Sequence, residues 1–188
     1  MDMTSRTMLL GSIMVEDIAN PRPEDVDLQF MAYRLGTIVR FSGHPAALTV
    51  EEHQRLCRHL AKRLCYSEAV IEWAGLHDAH EYATGDLATP LQRGIDAKSL
   101  HSVQRAWDAA ICGAMGIAFP TPATRIEVGV IDRLALVLEW QWALGRDPQE
   151  LGVTGSLLTA SQARDLFDGG VPAARRDELR HGRILLGG

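Results

Sequence analysis

The sequence predicts an all-α fold, and three observations lead there. Apolar residues recur at three- and four-residue spacing along most of the chain, proline and glycine punctuation separates the periodic stretches, and Met8 to Val15 is the only run that reads as a strand. The 188 residues are 46% hydrophobic and 23% charged, the balance of a chain that buries a core, which rules against disorder or a disulfide scaffold. That length suits one domain.

The elements follow in order. After the proline-punctuated turn Asn20-Pro21-Arg22-Pro23, the spacing of Leu28, Met31, Leu35 and Ile38 or Val39 predicts a helix from about Glu24 to Arg40, which Gly43 and Pro45 close. Thr49-Val50-Glu51-Glu52 is a capping box, and Leu56, Leu60 and Leu64 mark the inner face of the second helix. Ser67-Glu68 opens a third, whose Val70, Ile71 and Ala74 lead into Leu76-His77-Asp78. Gly85 to Gly94, with Pro90, is expected to be an ordered loop. Helix returns at about Ser99 with Val103, Trp107, Ala110, Ile111 and Met115 on one face, and Phe119-Pro120-Thr121-Pro122 stops it. A long helix from about Ala123 to Leu144 points Ile126, Val130, Leu134, Val137 and Leu138 inward. Thr159-Ala160-Ser161-Gln162 caps a short helix before Gly169, and the remainder reads as a weakly packed tail.

Charge and cysteine content exclude several function classes. With 19 Lys plus Arg against 24 Asp plus Glu, the net charge of −5 supplies no global field for nucleic acid or an anionic membrane. Cys57, Cys65 and Cys112 form no CxxC pair and read as small buried hydrophobes, pointing to a reducing cytoplasm. The short apolar patch near the N-terminus has the shape of neither a membrane span nor a signal peptide.

The chemistry concentrates at His77-Asp78, where an imidazole and a carboxylate adjoin, with Glu81 one turn on. His53 in the preceding helix and Asp132 in an otherwise apolar one complete two histidines and two carboxylates. Such a mixed N/O set suits Mn, Co, Zn, Fe or Ni better than a closed structural zinc site, which favours cysteine. Each residue also has a plainer reading. His53 suits a polar helix face, Asp132 a salt bridge to Arg133 or Arg125, Asp86 a turn after Gly85, and Arg40 a helix C-terminus where the macrodipole favours a cation. His44 could pair with Glu51 or Glu52, and the four tryptophans fit core or subunit contacts.

In order along the chain, His53, His77-Asp78 and Asp132 reproduce the H…HD…D pattern of the HD-domain metal-dependent phosphohydrolases. The stretch from Leu76-His77-Asp78-Ala79-His80-Glu81 through Gly85-Asp86 to Thr89-Pro90-Leu91 resembles the LHDAxE…GD…TPL segment of the YfbR-like 5'-deoxynucleotidase branch and its phage dNTP triphosphohydrolase relatives. Arg40-Phe41-Ser42-Gly43-His44 followed by Val50-Glu51-Glu52-His53, the entry Pro21 to Asp27, and the Asp132 to Glu139 spacing resemble the same branch. Two positions depart from it: Phe41 stands where those enzymes carry tryptophan, and His80 where the residue is usually small or polar.

The resemblance implies one HD domain over 1–188, a helical bundle of about five to seven helices with its catalytic core at about 21–145 and a C-terminal extension at 146–188. It makes His53, His77, Asp78 and Asp132 ligands of one divalent metal ion, with Mg added to the metals above. Glu81 becomes the catalytic carboxylate, and Asp86 orients water or holds a sugar hydroxyl. Arg40 holds phosphate, while Phe41, His44, Thr89 and Pro90 border the substrate. The implied partner is a small nucleotide, with no nucleic acid or membrane, in a cytoplasmic homo-oligomer. The expected activity is hydrolysis of a deoxynucleotide to release phosphate. One alternative is release of triphosphate from a dNTP such as dATP, which would need Arg40, Arg93, Lys98 and Arg105 to converge. Another is a non-catalytic nucleotide-binding module.

Overall fold

The computed structural model describes residues 6–153 and 158–185, and its fold is all-α beside one small hairpin. In chain order come strands β1 (Met8–Leu10) and β2 (Ile13–Val15), a 3-10 turn at Pro23–Asp25 and helix α1 (Leu28–Leu35). A four-residue turn α2 (Arg40–Gly43) precedes α3 (Val50–Arg63), α4 (Glu68–Ala74), α5 (Glu81–Thr84) and α6 (Thr89–Gly94). The long α7 (Ala97–Met115) and α8 (Pro122–Leu138) follow, and α8 runs into a π-helical turn at Glu139–Ala143. A 3-10 turn at Pro148–Leu151, α9 (Ala160–Gly170) and α10 (Ala173–Leu185) complete the chain.

The chain divides into two compact units, each discontinuous in sequence: Met1–Ile38 with Asp78–Phe119, and Val39–His77 with Pro120–Gly188.

In the first unit β1 and β2 pair antiparallel with Leu10 opposite Ile13, so the expected strand is a hairpin turning at Gly11-Ser12. Leu10 and Val15 point inward while Leu9 and Met14 face solvent, the alternation of a sheet with one wet face. Gly11 has a φ of 61°, and a Cβ there would come within 2.7 Å of the Asp27 carboxylate and of Phe30 Cβ, so both backbone conformation and space require glycine. Asp27 caps α1 by accepting from the Phe30 N–H at 2.9 Å. The predicted helix from Glu24 to Arg40 is therefore shorter at both ends: Pro23–Asp25 is 3-10, and α1 stops at Leu35. On α7, Trp107 is fully buried, donates its indole N–H to the Ile18 carbonyl at 3.0 Å, and meets the Tyr82 ring edge-on at 5.4 Å. Met115, expected inside, is exposed. The expected loop at 85–94 contains α6, because Pro90 falls in the first helical turn, where its missing N–H costs nothing.

In the second unit α3, α4 and α8 pack together on Leu56, Leu60, Val70, Ile131, Ala135 and Leu138. The capping box closes as expected: the Glu52 N–H donates to the Thr49 hydroxyl at 3.3 Å, and the Thr49 N–H donates to the Glu52 carboxylate at 2.8 Å. Ser67, by contrast, makes no side-chain cap. The inner face of α8 is rotated from the expected one: Thr124, Val128, Ile131, Ala135 and Leu138 are buried, whereas Ile126 and Val130 are exposed. The expected tail is α10, docked through buried Leu179 and through Arg175, which donates to Glu52 at 2.7 Å and to the Ala47 carbonyl at 3.1 Å. At α2 the backbone bends through left-handed Phe41 (φ 53°) and Ser42 (φ 57°), a conformation that costs an L-residue roughly 1–2 kcal/mol. It is held from both sides, since the Arg40 N–H donates to the Leu48 carbonyl at 3.0 Å and the Phe41 ring packs on Trp140 at 5.7 Å.

Candidate metal centre

Helical spacing puts His53 and Cys57 one turn apart on the buried face of α3, and neither exposes any surface. His77 comes from the turn after α4, and Asp132 from α8 on the margin of its buried stripe. His53 Nε2 lies 3.0 Å from Asp132 Oδ1, His77 Nε2 lies 3.7 Å from the same oxygen, and Cys57 Sγ lies 3.4 Å from His53 Nε2. These four donor atoms all fall within 4.8 Å of one another. Asp132 thus pairs with the two histidines.

Both rings are held from behind. The Nδ1 of His53 hydrogen-bonds the Glu139 carboxylate, whose other oxygen accepts from Arg40 Nε at 3.2 Å. The Nδ1–H of His77 donates to the Ala74 carbonyl at 3.1 Å. With Nδ1 of each ring engaged from behind, Nε2 is the nitrogen on the Asp132 side, as in the carboxylate–histidine arrangement that orients metal ligands. Glu139 lies where α8 passes into the π-helical turn, and its carboxylate stands behind His53.

Electrostatics reinforce the geometry. Burial and the Arg40 charge press His53 toward its neutral form, but Cys57, Glu139 and Asp132 outweigh them, so its pKa lies well above the ordinary imidazole value. Burial raises the Asp132 carboxyl, yet hydrogen bonds and charge from His53 and His77 hold it far below the usual range. Glu139 is likewise held down, with Arg40 and His53 overcoming its burial. The cluster could hold a metal ion on the Nε2 side of the two rings. Its donor set of two imidazoles, one carboxylate and one thiol matches the ligand types of a divalent transition metal. Asp132 keeps 42% of its side-chain surface exposed, whereas His53 and Cys57 expose none.

Arg40 is nearly buried and spends its Nε on Glu139, which makes it the support of the His53 support. The Phe41 ring lies against Trp140, and His44 Nδ1 accepts from the Ala46 N–H at 3.1 Å. In the first unit Asp78, His80 and Glu81 form a second group of ligand-type side chains, in which His80 Nδ1 donates to Asp108 at 2.9 Å. Glu81 is buried there, Asp86 is half-buried in the segment after α5, and Thr89 and Pro90 fall in the first turn of α6. Cys57 was not predicted at the site; its signal in the sequence is the four-residue step from His53.

No family model matches this chain. It is 34% identical over 86 residues to an uncharacterized protein of Rhodobacter capsulatus, a match covering 42% of this chain and 43% of that protein. The chain thus spans less than half the length of the curated relative it matches.

Proposed function

We propose that this chain is a divalent-metal-dependent phosphohydrolase acting on deoxynucleotides. The observation that carries the reading is the convergence of His53, His77 and Asp132 Oδ1 from three separate elements, with His53 backed by Glu139 and Arg40. These residues also stand in the H…HD…D order of the HD-domain resemblance. A bound divalent cation at such a site lowers the pKa of a coordinated water and polarises a phosphoryl oxygen. The protein's own contribution is to fix two imidazole nitrogens and one carboxylate before any cation arrives, and to leave the Asp132 side open to substrate. The resemblance assigns Asp78, joined to His77 by one peptide bond, to the metal as well, and Glu81 to proton handling.

Metal-freed protein supplied with Mn²⁺, Co²⁺ or Mg²⁺ and a panel of dNMPs, NMPs and dNTPs, with products separated by chromatography, tests this. Release of orthophosphate from dNMPs, abolished by chelation and by Asp132→Ala, is the expected result. Triphosphate released from a dNTP would move the activity to the triphosphohydrolase reading. Metal and nucleotide binding with no turnover on any substrate would overturn hydrolysis in favour of a binding module.

A further inference from the structure

We propose that Cys57 is a sulfur ligand of the ion held by His53, His77 and Asp132, and that it biases the centre toward zinc, cobalt or iron(II) and against magnesium. The inference rests on the metal reading of the cluster, not on the nucleotide substrate. Cys57 Sγ lies 3.4 Å from His53 Nε2 and within 4.8 Å of the His77 and Asp132 donors. Ligands at about 2.0–2.3 Å from a tetrahedral ion are separated by about 3.3–3.8 Å from one another. The Cys57–His53 and His77–Asp132 separations, 3.4 and 3.7 Å, fall in that window, and the 3.0 Å His53–Asp132 pair needs only a small opening.

The position of the sulfur is built rather than incidental. Cys57 and His53 share one face of α3, both fully buried, so helix geometry aims thiol and imidazole at the same point. No disulfide competes for the Cys57 sulfur, and Cys65 lies beyond the end of α3 on an exposed turn. On metal binding the S–H proton would leave to solvent as the metal–sulfur bond forms. A thiolate is soft and suits zinc, cobalt and iron, whereas magnesium demands oxygen ligands and sheds its waters reluctantly.

The decisive experiment is cobalt(II) titration of the metal-free full chain, followed by visible and near-ultraviolet absorption, with Cys57→Ala and Cys57→Ser alongside. The unaltered protein should bind one equivalent and develop a sulfur-to-cobalt charge-transfer band. Both variants should lose the band and weaken zinc affinity by at least about 10–100-fold, the loss typical of removing even an outer partner of a ligand. Zinc K-edge X-ray absorption on the unaltered protein provides a reading that does not depend on the variants folding, and it should contain one sulfur scatterer at about 2.3 Å. Stoichiometric metal binding without the band and without the sulfur scatterer would overturn the role of Cys57 and leave the His–His–Asp centre standing. A band that survives in folded Cys57→Ala would also overturn it, by assigning the sulfur to another cysteine. Failure of the unaltered protein to bind cobalt or zinc would remove both the sulfur ligand and the metal centre.

Discussion

Asp132 and Glu139 look alike as acids about two turns apart, yet they act on opposite nitrogens of one ring. Asp132 faces Nε2 of His53, and Glu139 takes Nδ1 from behind. On the proposed metal reading, removing the first deletes a ligand and removing the second loosens one. Asp132→Ala is therefore expected to abolish stoichiometric metal binding. Glu139→Gln should retain the metal with affinity lowered about 10–100-fold, the usual cost of an outer partner, and calorimetric titration of Mn²⁺ or Zn²⁺ into both proteins checks it. Glu81→Ala should lose hydrolysis by at least about 10²-fold while binding metal at full stoichiometry. Loss of metal in that variant would make Glu81 a ligand instead. At this scale the sequence was informative wherever residue type alone limits the chemistry. His53, His77 and Asp132 could be named because few side chains bind metals and their order is distinctive. Cys57 read as a small buried hydrophobe and is buried; helical spacing alone does not reveal its approach to His53 Nε2. The Arg40 contact to Glu139 was not legible, because nothing local says that a carboxylate 99 residues away takes its Nε.

Among the elements, those with self-contained end signals were legible. Thr49–Glu52 and Thr159–Gln162 each close a reciprocal box within four residues, so α3 and α9 begin where the sequence places them. Thr49→Ala should cost about 0.5–2 kcal/mol in denaturant unfolding, the ordinary value of an N-cap. The face of α8 was misjudged because apolar residues surround it: Ile126 and Val130 continue one stripe and Val128, Ile131 and Ala135 another, and only packing against α3 and α4 selects the second. Helix α10 escaped notice because its sequence, rich in Arg and Asp/Glu, anchors through one buried leucine, Leu179, and an arginine. Caps also set the acid response. Hydrogen bonds from the Phe30 N–H to Asp27 and from Ser99 to Asp96 hold both carboxyls below their usual pKa. Because the folded values are depressed, their stabilisation is complete above the unfolded value of about 3.9 and fades as pH falls through the folded one. Melting temperature should therefore drop as pH falls below about 4, and Asp27→Asn with Asp96→Asn, which keep a cap but cannot titrate, should flatten that drop. An unchanged slope in the double variant would mean that other carboxylates govern the acid limb.

For the molecule as a whole, the all-α class followed from periodicity and punctuation, while the division into two units did not. The chain passes between units at 38/39, 77/78 and 119/120, and only the last carries a proline signal, so no change of composition marks the boundaries. Among the described residues no helix is long and apolar enough to cross a membrane. A ligand that binds only the folded state stabilises it by about 2.7 kcal/mol at a hundredfold excess over its dissociation constant. Zinc or manganese should therefore raise the melting temperature of the unaltered protein and leave that of Asp132→Ala unmoved. The central claim, that His53, His77 and Asp132 form a divalent metal centre, is tested most directly by anomalous diffraction from crystals grown with Mn²⁺ or Co²⁺. The account predicts one strong anomalous peak about 2.0–2.3 Å from His53 Nε2, His77 Nε2 and Asp132 Oδ1. A peak bound elsewhere, or crystals saturated with metal and no density between these three side chains, would contradict it.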